Sequence, residues 1–380
     1  MKKLLLLIFA LSFSHQIIAC EFEDVTFDSD FSVARLDGCE KISDDRYRLT
    51  IESENYPINN SSPWYAFKVS SKKPSKIRVE MIFKKDKPRY HPKVSRDGHS
   101  WSGIRFKVKK NRLTYLLEVD EKPLWVAGQE IINNQFYVSW LNSIKKLGNH
   151  QLSVLGNSTQ ERPIYQLESN TKSNEWVVLM GRMHPPEVTG ALALFPFSQE
   201  ILLGEGISQK FRERFNILLI PNLNPDGVEH GHWRNNINGI DLNRDWNKFK
   251  QKETQIVHNK LQQITKDGGK IVYAIDFHST RKDIFYTMPA DYGLHPANLT
   301  NDWLATLEKN MPDFTVRTKP GNNPDNGVFK QYIADNYGVH AITYEMGDHT
   351  DRKIINDVAK SAANAFMQHM LDTPKSDFIK

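Results

Sequence analysis

The chain has 380 residues, of which 39% are hydrophobic and 25% are charged, and its formal net charge is +5. This composition is typical of a globular protein, and the length allows one large domain or two. Lysine and arginine occur in short scattered pairs rather than in one basic stripe, so the sequence argues against a nucleic-acid-binding protein.

The first predicted element is a signal peptide over residues 1–19. Lys2 and Lys3 precede a short apolar run, and Ala19 offers a small residue at a cleavage point. The run is shorter than a comfortable membrane span, and no later segment is long and apolar enough for one. We therefore expect an exported protein, periplasmic or secreted, without a transmembrane span.

The two cysteines, Cys20 and Cys39, allow two interpretations. An even number of cysteines in an exported protein favours a disulfide between them. Alternatively, the sequence IIAC resembles a lipoprotein cleavage box, so that Cys20 would carry a lipid anchor and Cys39 would be a free thiol. We favour the disulfide, and the lipid anchor stays an alternative.

Residues 20–130 are predicted to form an antiparallel β-sandwich domain, because apolar and polar residues alternate in short segments that turn-forming pairs separate. The residues expected to face its core are Tyr47, Leu49 and Ile51; Tyr65, Phe67 and Val69; Ile77, Val79 and Met81; and Ile104, Phe106 and Val108. No combination of catalytic residue types is evident in this part of the sequence.

From residue 131 to residue 375 the pattern predicts an α/β domain with helices on both faces of its sheet. Continuous apolar runs, typical of strands buried on both faces, occupy residues 176–180, 215–220, 271–277 and 340–346. Helical patterns occupy residues 133–148, ending at Gly148, and residues 252–266, 299–310 and 353–371.

Polar residues collect at the ends of these strands, where open α/β sheets place their ligand sites. His184 and Glu187 follow the first strand and His278 follows the third. Two imidazoles and a carboxylate are a common ligand set for catalytic zinc, with water in the fourth position. Because Pro185 and Pro186 cannot both lie inside a regular helix, we expect a stiff turn that holds His184 and Glu187 in one pocket.

Two arginines and a glutamate extend this candidate site. Arg234 precedes the segment GIDLNRDW, in which Arg244 follows Asn243, and an arginine fork suits a carboxylate. Surface salt bridges are the alternative for each arginine. Glu345 follows the apolar run HAITY and is expected to be poorly solvated, so it either pairs with Arg352 or acts as a general base beside a metal-bound water.

The motifs HPPE, NPDG, GIDLNRDW, DFHS and TYEMGD occur in the order found in the zinc metallocarboxypeptidase superfamily. The chain resembles that family over nearly all of its mature length, and most of all the cytosolic-type carboxypeptidases and their bacterial relatives. Those proteins carry a β-sandwich-like domain ahead of the catalytic domain, and FDSDFSVARLDG and SPWYAFKV resemble that leading domain. The resemblance implies a carboxypeptidase-like mixed central sheet in residues 131–375 and one zinc ion per chain.

The resemblance also assigns a role to each motif residue. It implies three zinc ligands, His184, Glu187 and His278; a general base, Glu345; an arginine that polarises the scissile carbonyl, Arg234; and a pair that binds the terminal carboxylate of the substrate, Asn243 and Arg244. The implied partner is a peptide with a free C-terminus. Two positions depart from many family members, because Pro186 stands in place of an arginine and residues 319–329 contain no tyrosine.

Specificity is open between two neighbouring residues. Counting back from Glu345 gives Lys330, which would favour an acidic C-terminal residue, whereas anchoring on Gly338 gives the less selective Gln331. Cell-wall peptides are a further possible substrate class. The alternative functions are an N-acyl amino acid deacylase on the same fold, against which the leading domain and the carboxylate-binding pair argue, and a peptide-binding pseudoenzyme, although no ligand or base is missing.

Overall fold

The computed structural model describes residues 19–55, 60–148, 150–169 and 171–378, so the predicted signal peptide lies outside the described residues except for Ala19. The strands of the N-terminal part are β1 (Ala19–Glu21), β2 (Val25–Asp28), β3 (Gly38–Ser43), β4 (Arg46–Ile51), β5 (Ala66–Ser71), β6 (Ser75–Phe83), β7 (Lys93–Ser95), β8 (Ser102–Gly103), β9 (Phe106–Lys109), β10 (Arg112–Val119) and β11 (Leu124–Ala127).

These strands form two sheets that share one hydrophobic core. The strand order is β1-β2-β5-β11-β7-β8 in one sheet and β3-β4-β6-β10-β9 in the other. Cys20 in β1 and Cys39 in β3 are joined as a disulfide, so one covalent bond connects the two sheets. The pair β4 and β6 is parallel, and the purely antiparallel expectation is therefore wrong there, because alternation along a strand does not encode the direction of its neighbour.

Three of the four predicted alternating segments face the core as expected, whereas in the fourth Ile104 and Phe106 pack against the core only partly buried and Val108 does not reach it. Tyr47, Phe67 and Val79 are buried, but Val108 is 52% exposed. The segment is split between β8 and β9, and β9 is the last strand of its sheet, so Val108 has little to cover it.

The remaining elements alternate between helices and strands. They are α1 (Asn134–Leu147), β12 (His150–Asn157), β13 (Pro163–Ser169), β14 (Glu175–Gly181), α2 (Val188–Leu203), α3 (Ile207–Arg214), β15 (Phe215–Ile220), α4 (Pro225–Glu229), α5 (Lys252–Lys266), β16 (Lys270–Thr280), β17 (Ile284–Thr287), α6 (Leu299–Asn310), β18 (Thr318–Pro320), α7 (Phe329–Tyr337), β19 (Ala341–Gly347) and α8 (Arg352–Asp372). Short 3-10 turns lie at Leu242–Arg244, Pro324–Asn326 and Lys375–Phe378.

The eight strands of this part form one mixed sheet in the order β12-β13-β15-β14-β16-β19-β17-β18. The four inner strands β15, β14, β16 and β19 are parallel. In β14, Val177 and Leu179 face a core that α1, α2, α6 and α8 complete, whereas Val178 and Met180 face one that α5 and α7 complete. Helices therefore cover both faces, and the predicted fold class is confirmed.

The carboxyl ends of β14, β16 and β19 meet at one edge of this sheet, because parallel strands run in the same direction. His278 and Glu345 lie inside β16 and β19 rather than beyond them, and their backbones are paired in register. Among the described helices, none combines the length and apolarity that crossing a bilayer requires.

Candidate active site

The turn after β14 is built around a buried arginine that the sequence analysis did not single out. Arg182 has a left-handed backbone with φ of 53°. Its guanidinium donates to the carbonyl of Pro185 at 2.9 and 2.6 Å, to the carbonyl of Ile132 at 3.2 Å and to the hydroxyl of Tyr137 at 2.8 Å. Because four hydrogen bonds fix this turn, Glu187 is delivered to the start of α2 as predicted.

His184, Glu187 and His278 are buried together. Nδ1 of His184 lies 2.8 Å from Oε1 of Glu187, and Nδ1 of His278 lies 2.7 Å from Oε2 of the same carboxylate. The two Nδ1 atoms are 3.2 Å apart, and one possible ligand atom from each residue lies within 4.8 Å of the others. Sequence reasoning predicted this convergence.

The charge of this cluster suits a metal cation. Burial alone would raise the pKa of Glu187, but the two imidazoles outweigh it and hold that pKa well below its usual value. Burial would lower the pKa of His278, yet Asp276 and Glu187 raise it well above the usual range. The pocket thus favours positive charge, and two imidazoles with one carboxylate, converging on one point, fit a zinc ion.

Two aspartates bind the outer nitrogens of the two histidines. Nε2 of His184 lies 2.9 Å from Oδ1 of Asp241, and Nε2 of His278 lies 2.5 Å from Oδ2 of Asp276. Such carboxylate partners fix the tautomer and orientation of a metal-binding imidazole. Sequence reasoning missed both aspartates, although the spacing of Asp276 and His278 by two on a strand places them on one face.

Close packing between α2 and β16 sets the distance between Glu187 and His278. An added Cβ on Gly190 would lie 2.4 Å from the carbonyl oxygen of His278, so only glycine allows this approach. The Gly190 amide donates to Oγ of Ser279 at 2.8 Å, and the Ser279 amide donates to Oε2 of Glu187 at 3.1 Å. The start of α2 is thereby bonded directly to the strand that carries His278.

Glu345 lies beside the cluster with one carboxylate oxygen unpaired. Its Oε2 is buried and has no hydrogen-bond partner among the described residues. Burial raises the pKa of Glu345 to about 7, and the negative charge of Glu187 adds to this effect. Arg352 instead pairs with Glu130 at 2.7 Å, so the alternative explanation of Glu345 by an Arg352 pair is wrong.

Arg234 shares a carboxylate with His184. Its Nε donates to Oδ2 of Asp241 at 2.7 Å, while Oδ1 of the same carboxylate binds His184. The two Nη groups of Arg234 make no hydrogen bond to any described residue, so they are available to a ligand. Arg234 is thus brought next to the histidine cluster, as the motif order predicted.

Asn243 and Arg244 differ in exposure. Asn243 is buried, with its Nδ2 3.5 Å from Nε2 of His278 and its Oδ1 accepting from the Phe329 amide at 3.0 Å. Arg244 is exposed, and its Nη1 donates to the carbonyl of Asn243 at 2.6 Å. Asn243 therefore connects the cluster to the start of α7, and Arg244 has donors to spare for an anion.

The motif NPDG joins the two loops of the site. Nδ2 of Asn224 donates to the carbonyl of Met183 at 2.9 Å and to that of Asn235 at 3.3 Å. An added Cβ on Gly227 would lie 2.6 Å from Cγ of Pro185, so the glycine makes room for the proline turn. This motif therefore aligns the turn of His184 with the loop of Arg234.

Lys330 and Gln331 lie at the start of α7, next to the residue that binds Asn243. Nζ of Lys330 donates to the carbonyl of Gly321 at 2.5 Å and contacts Sδ of Met288 at 3.3 Å. Burial lowers its pKa to about 8. The amide of Gln331 accepts from Asn323 and donates to Tyr292 and Asp335, so all its hydrogen-bonding groups are occupied.

Comparison with family models matches residues 137–369 to the zinc carboxypeptidase family, which is more than half of the chain. Cytosolic carboxypeptidase 2 from Xenopus tropicalis is 27% identical over 249 residues, covering 60% of this chain and 25% of that protein. The chain thus spans about a quarter of that relative's length.

Two solved structures share the fold over most of both chains. The metallo-carboxypeptidase from Burkholderia cenocepacia superposes with a TM-score of 0.77 at 17% identity, covering 91% of this chain and 99% of that one. The metallo-carboxypeptidase from Pseudomonas aeruginosa, solved in complex with (2-guanidinoethylmercapto)succinic acid, gives a TM-score of 0.73 at 19% identity, covering 90% and 98%.

Proposed function

The chain belongs to the zinc carboxypeptidase family, and on that premise we propose that it hydrolyses the C-terminal residue from peptides that end in a free carboxylate. Zinc is the cofactor of this family, and His184, Glu187 and His278 are the residues that would hold it. Bound there, zinc would supply Lewis-acid chemistry and lower the pKa of a bound water. The other roles fall to side chains of this chain.

The observation that carries the proposal is the unpaired carboxylate of Glu345 beside the histidine cluster. A buried carboxylate whose pKa is raised to about 7 is near the value that suits a general base at neutral pH. Glu345 takes a proton from the attacking water and passes it to the leaving amine. Its Oε2 accepts no hydrogen bond from a described residue, so its capacity to accept one from that water is unused.

Arg234 is proposed to stabilise the negative charge that develops on the scissile carbonyl oxygen. Its Nε is fixed by Asp241, which leaves the two Nη groups as oriented donors. Preorganised donors aimed at a developing oxyanion are commonly worth about 10²- to 10³-fold in kcat. The Asp241 pair also keeps the guanidinium close to the cluster rather than in solvent.

Arg244 and Asn243 are proposed to bind the terminal carboxylate. A guanidinium presents a planar fork that matches a carboxylate, and Arg244 has used only one Nη1 donor on the carbonyl of Asn243. Binding of this group at a fixed distance from Glu345 would restrict cleavage to the last peptide bond. This restriction makes the activity that of an exopeptidase.

For specificity, we favour Lys330 and therefore substrates with an acidic C-terminal residue. Gln331 uses both amide N–H donors and its carbonyl oxygen within the chain, whereas Lys330 has three N–H donors and two contacts to described residues. The remaining donor can bind a carboxylate side chain. Cell-wall peptides with acidic ends are one source of such substrates.

We also propose that the protein is exported, since disulfides persist in oxidising compartments and Cys20 and Cys39 are joined. The intact mass of the protein purified from its native host tests both points. The mass of a mature chain that starts at Cys20 and contains one disulfide would support the proposal. A diacylglyceryl adduct on Cys20 would contradict the disulfide.

The test of function uses tripeptides ending in Glu, Lys and Leu, with release of the last residue measured with and without a chelator. Glu345→Gln is the decisive variant, because Gln keeps the size of the side chain but cannot act as a base at neutral pH. We expect zinc content equal to that of the unmodified protein and turnover lowered by about 10²- to 10⁴-fold. Near-normal turnover in Glu345→Gln would refute the role of Glu345.

A further inference from the structure

Glu54 of the N-terminal sheets extends from the end of β4 toward the catalytic part of the chain. Its carboxylate is oriented by neighbours, because Nδ2 of Asn60 donates to Oε1 at 2.6 Å and Oγ of Ser62 lies 3.3 Å from Oε2. The same hydroxyl accepts from the Glu54 amide at 3.0 Å. The orientation of the Glu54 carboxylate is thus fixed by hydrogen bonds, unlike that of a free surface side chain.

This carboxylate accepts hydrogen bonds from three consecutive backbone amides of the loop that carries Arg234. The amide of Asn235 donates to Oε1 at 2.8 Å, the amide of Arg234 lies 3.2 Å from both oxygens, and the amide of Trp233 also donates to Oε2. Successive amides that point into one concavity form an anion-binding nest. Here the anion is a side chain that lies about 180 residues earlier in the sequence.

A second contact fixes the loop from the same side. Trp233 packs against the core of the N-terminal sheets, with its ring centroid 6.2 Å from that of Tyr90. The guanidinium of Arg89 lies 4.5 Å from the Trp233 ring and pairs with Asp348 at 2.7 Å. The residue before Arg234 is therefore held by the N-terminal domain through packing as well as hydrogen bonds.

The free side of the loop carries the proposed chemistry. Arg234 reaches Asp241 through Nε, and Asn235 offers its carbonyl to Asn224. None of the three Glu54 contacts involves the guanidinium, so Glu54 does not compete with the substrate for it. Glu54 therefore contacts the backbone of Arg234, whereas Asp241 contacts its side chain.

We propose that Glu54 is a positioning residue for Arg234, so that the N-terminal β-sandwich contributes to the geometry of the active site. The proposal rests on the proposed function for its catalytic consequence, but the contact itself can be tested without activity. A loop displaced by about 1 Å can lower a rate by roughly 10²-fold.

Hydrogen exchange tests the contact directly. In Glu54→Ala, we expect the amides of Trp233, Arg234 and Asn235 to exchange about tenfold faster or more, because each loses a charged acceptor. Glu52→Ala is the matched control, since Glu52 is exposed, lies two residues away and makes no side-chain hydrogen bond to a described residue. Unchanged exchange in Glu54→Ala would overturn the proposal whatever the enzyme's activity.

A double-mutant cycle with Arg234→Ala separates positioning from general destabilisation. We expect Glu54→Ala to lower kcat by roughly 10- to 100-fold with a smaller change in KM, and Glu54→Gln, which keeps one acceptor oxygen, to lower it less. In the Arg234→Ala background the effect of Glu54→Ala should shrink to within about twofold. Zinc content and melting temperature are measured for each variant.

The outcomes distinguish the two ideas. If Glu54→Ala lowers kcat equally in the unmodified protein and in the Arg234→Ala background, Glu54 does not act through Arg234. That result would overturn the positioning role. A wild-type rate in Arg234→Ala, or no release of C-terminal residues by the unmodified protein, would instead contradict the proposed function, and the exchange measurement would still decide whether Glu54 holds the loop.

Discussion

Replacement of Gly190 by alanine tests whether close packing of α2 on β16 builds the metal centre. Gly190 has no left-handed backbone, so local propensity alone predicts that alanine would stabilise the helix by about 0.5–1 kcal/mol. Its added methyl group would, however, lie 2.4 Å from the carbonyl oxygen, 2.6 Å from the carbonyl carbon and 2.9 Å from the Cα of His278.

The size of the effect follows from these distances. Ordinary contact begins at 3.4 Å, so α2 and β16 must separate by about 1 Å at this point. The contacting atoms are backbone, which cannot rotate away as a side chain can, and overpacking of this kind costs about 1–3 kcal/mol. The clash therefore outweighs the gain in propensity, and Gly190→Ala should lower the free energy of unfolding.

The same displacement separates Glu187 at the start of α2 from His278 in β16. We expect zinc affinity to fall by about 10- to 100-fold, as for other disturbances of the groups that orient metal ligands. Competition with a chelating dye measures the affinity, and urea unfolding measures the stability. Gly103→Ala is the control, because nothing lies within 4 Å of an added Cβ there. A Gly190→Ala protein that is more stable than the unmodified one and binds zinc within about twofold would refute this reasoning.

Three further predictions concern single side chains of the site. Asp276→Asn removes the charge that binds Nε2 of His278, so zinc affinity should fall by about 10- to 100-fold and excess zinc should restore turnover; unchanged affinity in the dye competition would contradict this role. Arg244→Ala should raise KM by about 10- to 100-fold for peptides with a free C-terminus, because a charged pair is lost, and an unchanged KM for the tripeptides would count against it. The pKa of Lys330 is about 8, so Lys330 is charged below that pH and neutral above it. The ratio of kcat/KM for a peptide ending in Glu to that for a peptide ending in Leu should therefore fall as the pH rises through about 8. Lys330→Gln should make this ratio low and independent of pH. A ratio that does not change with pH in the unmodified protein would exclude Lys330 as the specificity residue.

The sequence predicted the parts of the fold whose signal is local. The helices over 252–266 and 299–310 have the predicted bounds, because their apolar spacing is complete within one segment. The hairpin of β12 and β13 was not predicted, since the residues of β12 are mostly half-buried or exposed and show little contrast. The parallel pairing of β4 with β6 could not be predicted from the sequence either, because strand direction depends on the path of the chain between the two strands.

The candidate site divides in the same way. Ligand types and motif order predicted His184, Glu187, His278 and Glu345 as one cluster, and the structure places them together. Asp276 could have been found from its spacing to His278. Glu54 could not, because its partners are backbone amides, which every residue except proline carries, in a loop far along the chain.

The carboxylate of Asp241 has a consequence for how this protein binds its ligands. One oxygen binds His184 and the other binds Arg234, so the histidine cluster and Arg234 share one small anionic group. A ligand that draws Arg234 away leaves more of the negative charge of Asp241 for the imidazole, which strengthens that imidazole as a donor to a metal. With Arg234 in its proposed role, metal and substrate would be thermodynamically linked, and reciprocity would require each to change the affinity of the other by the same factor.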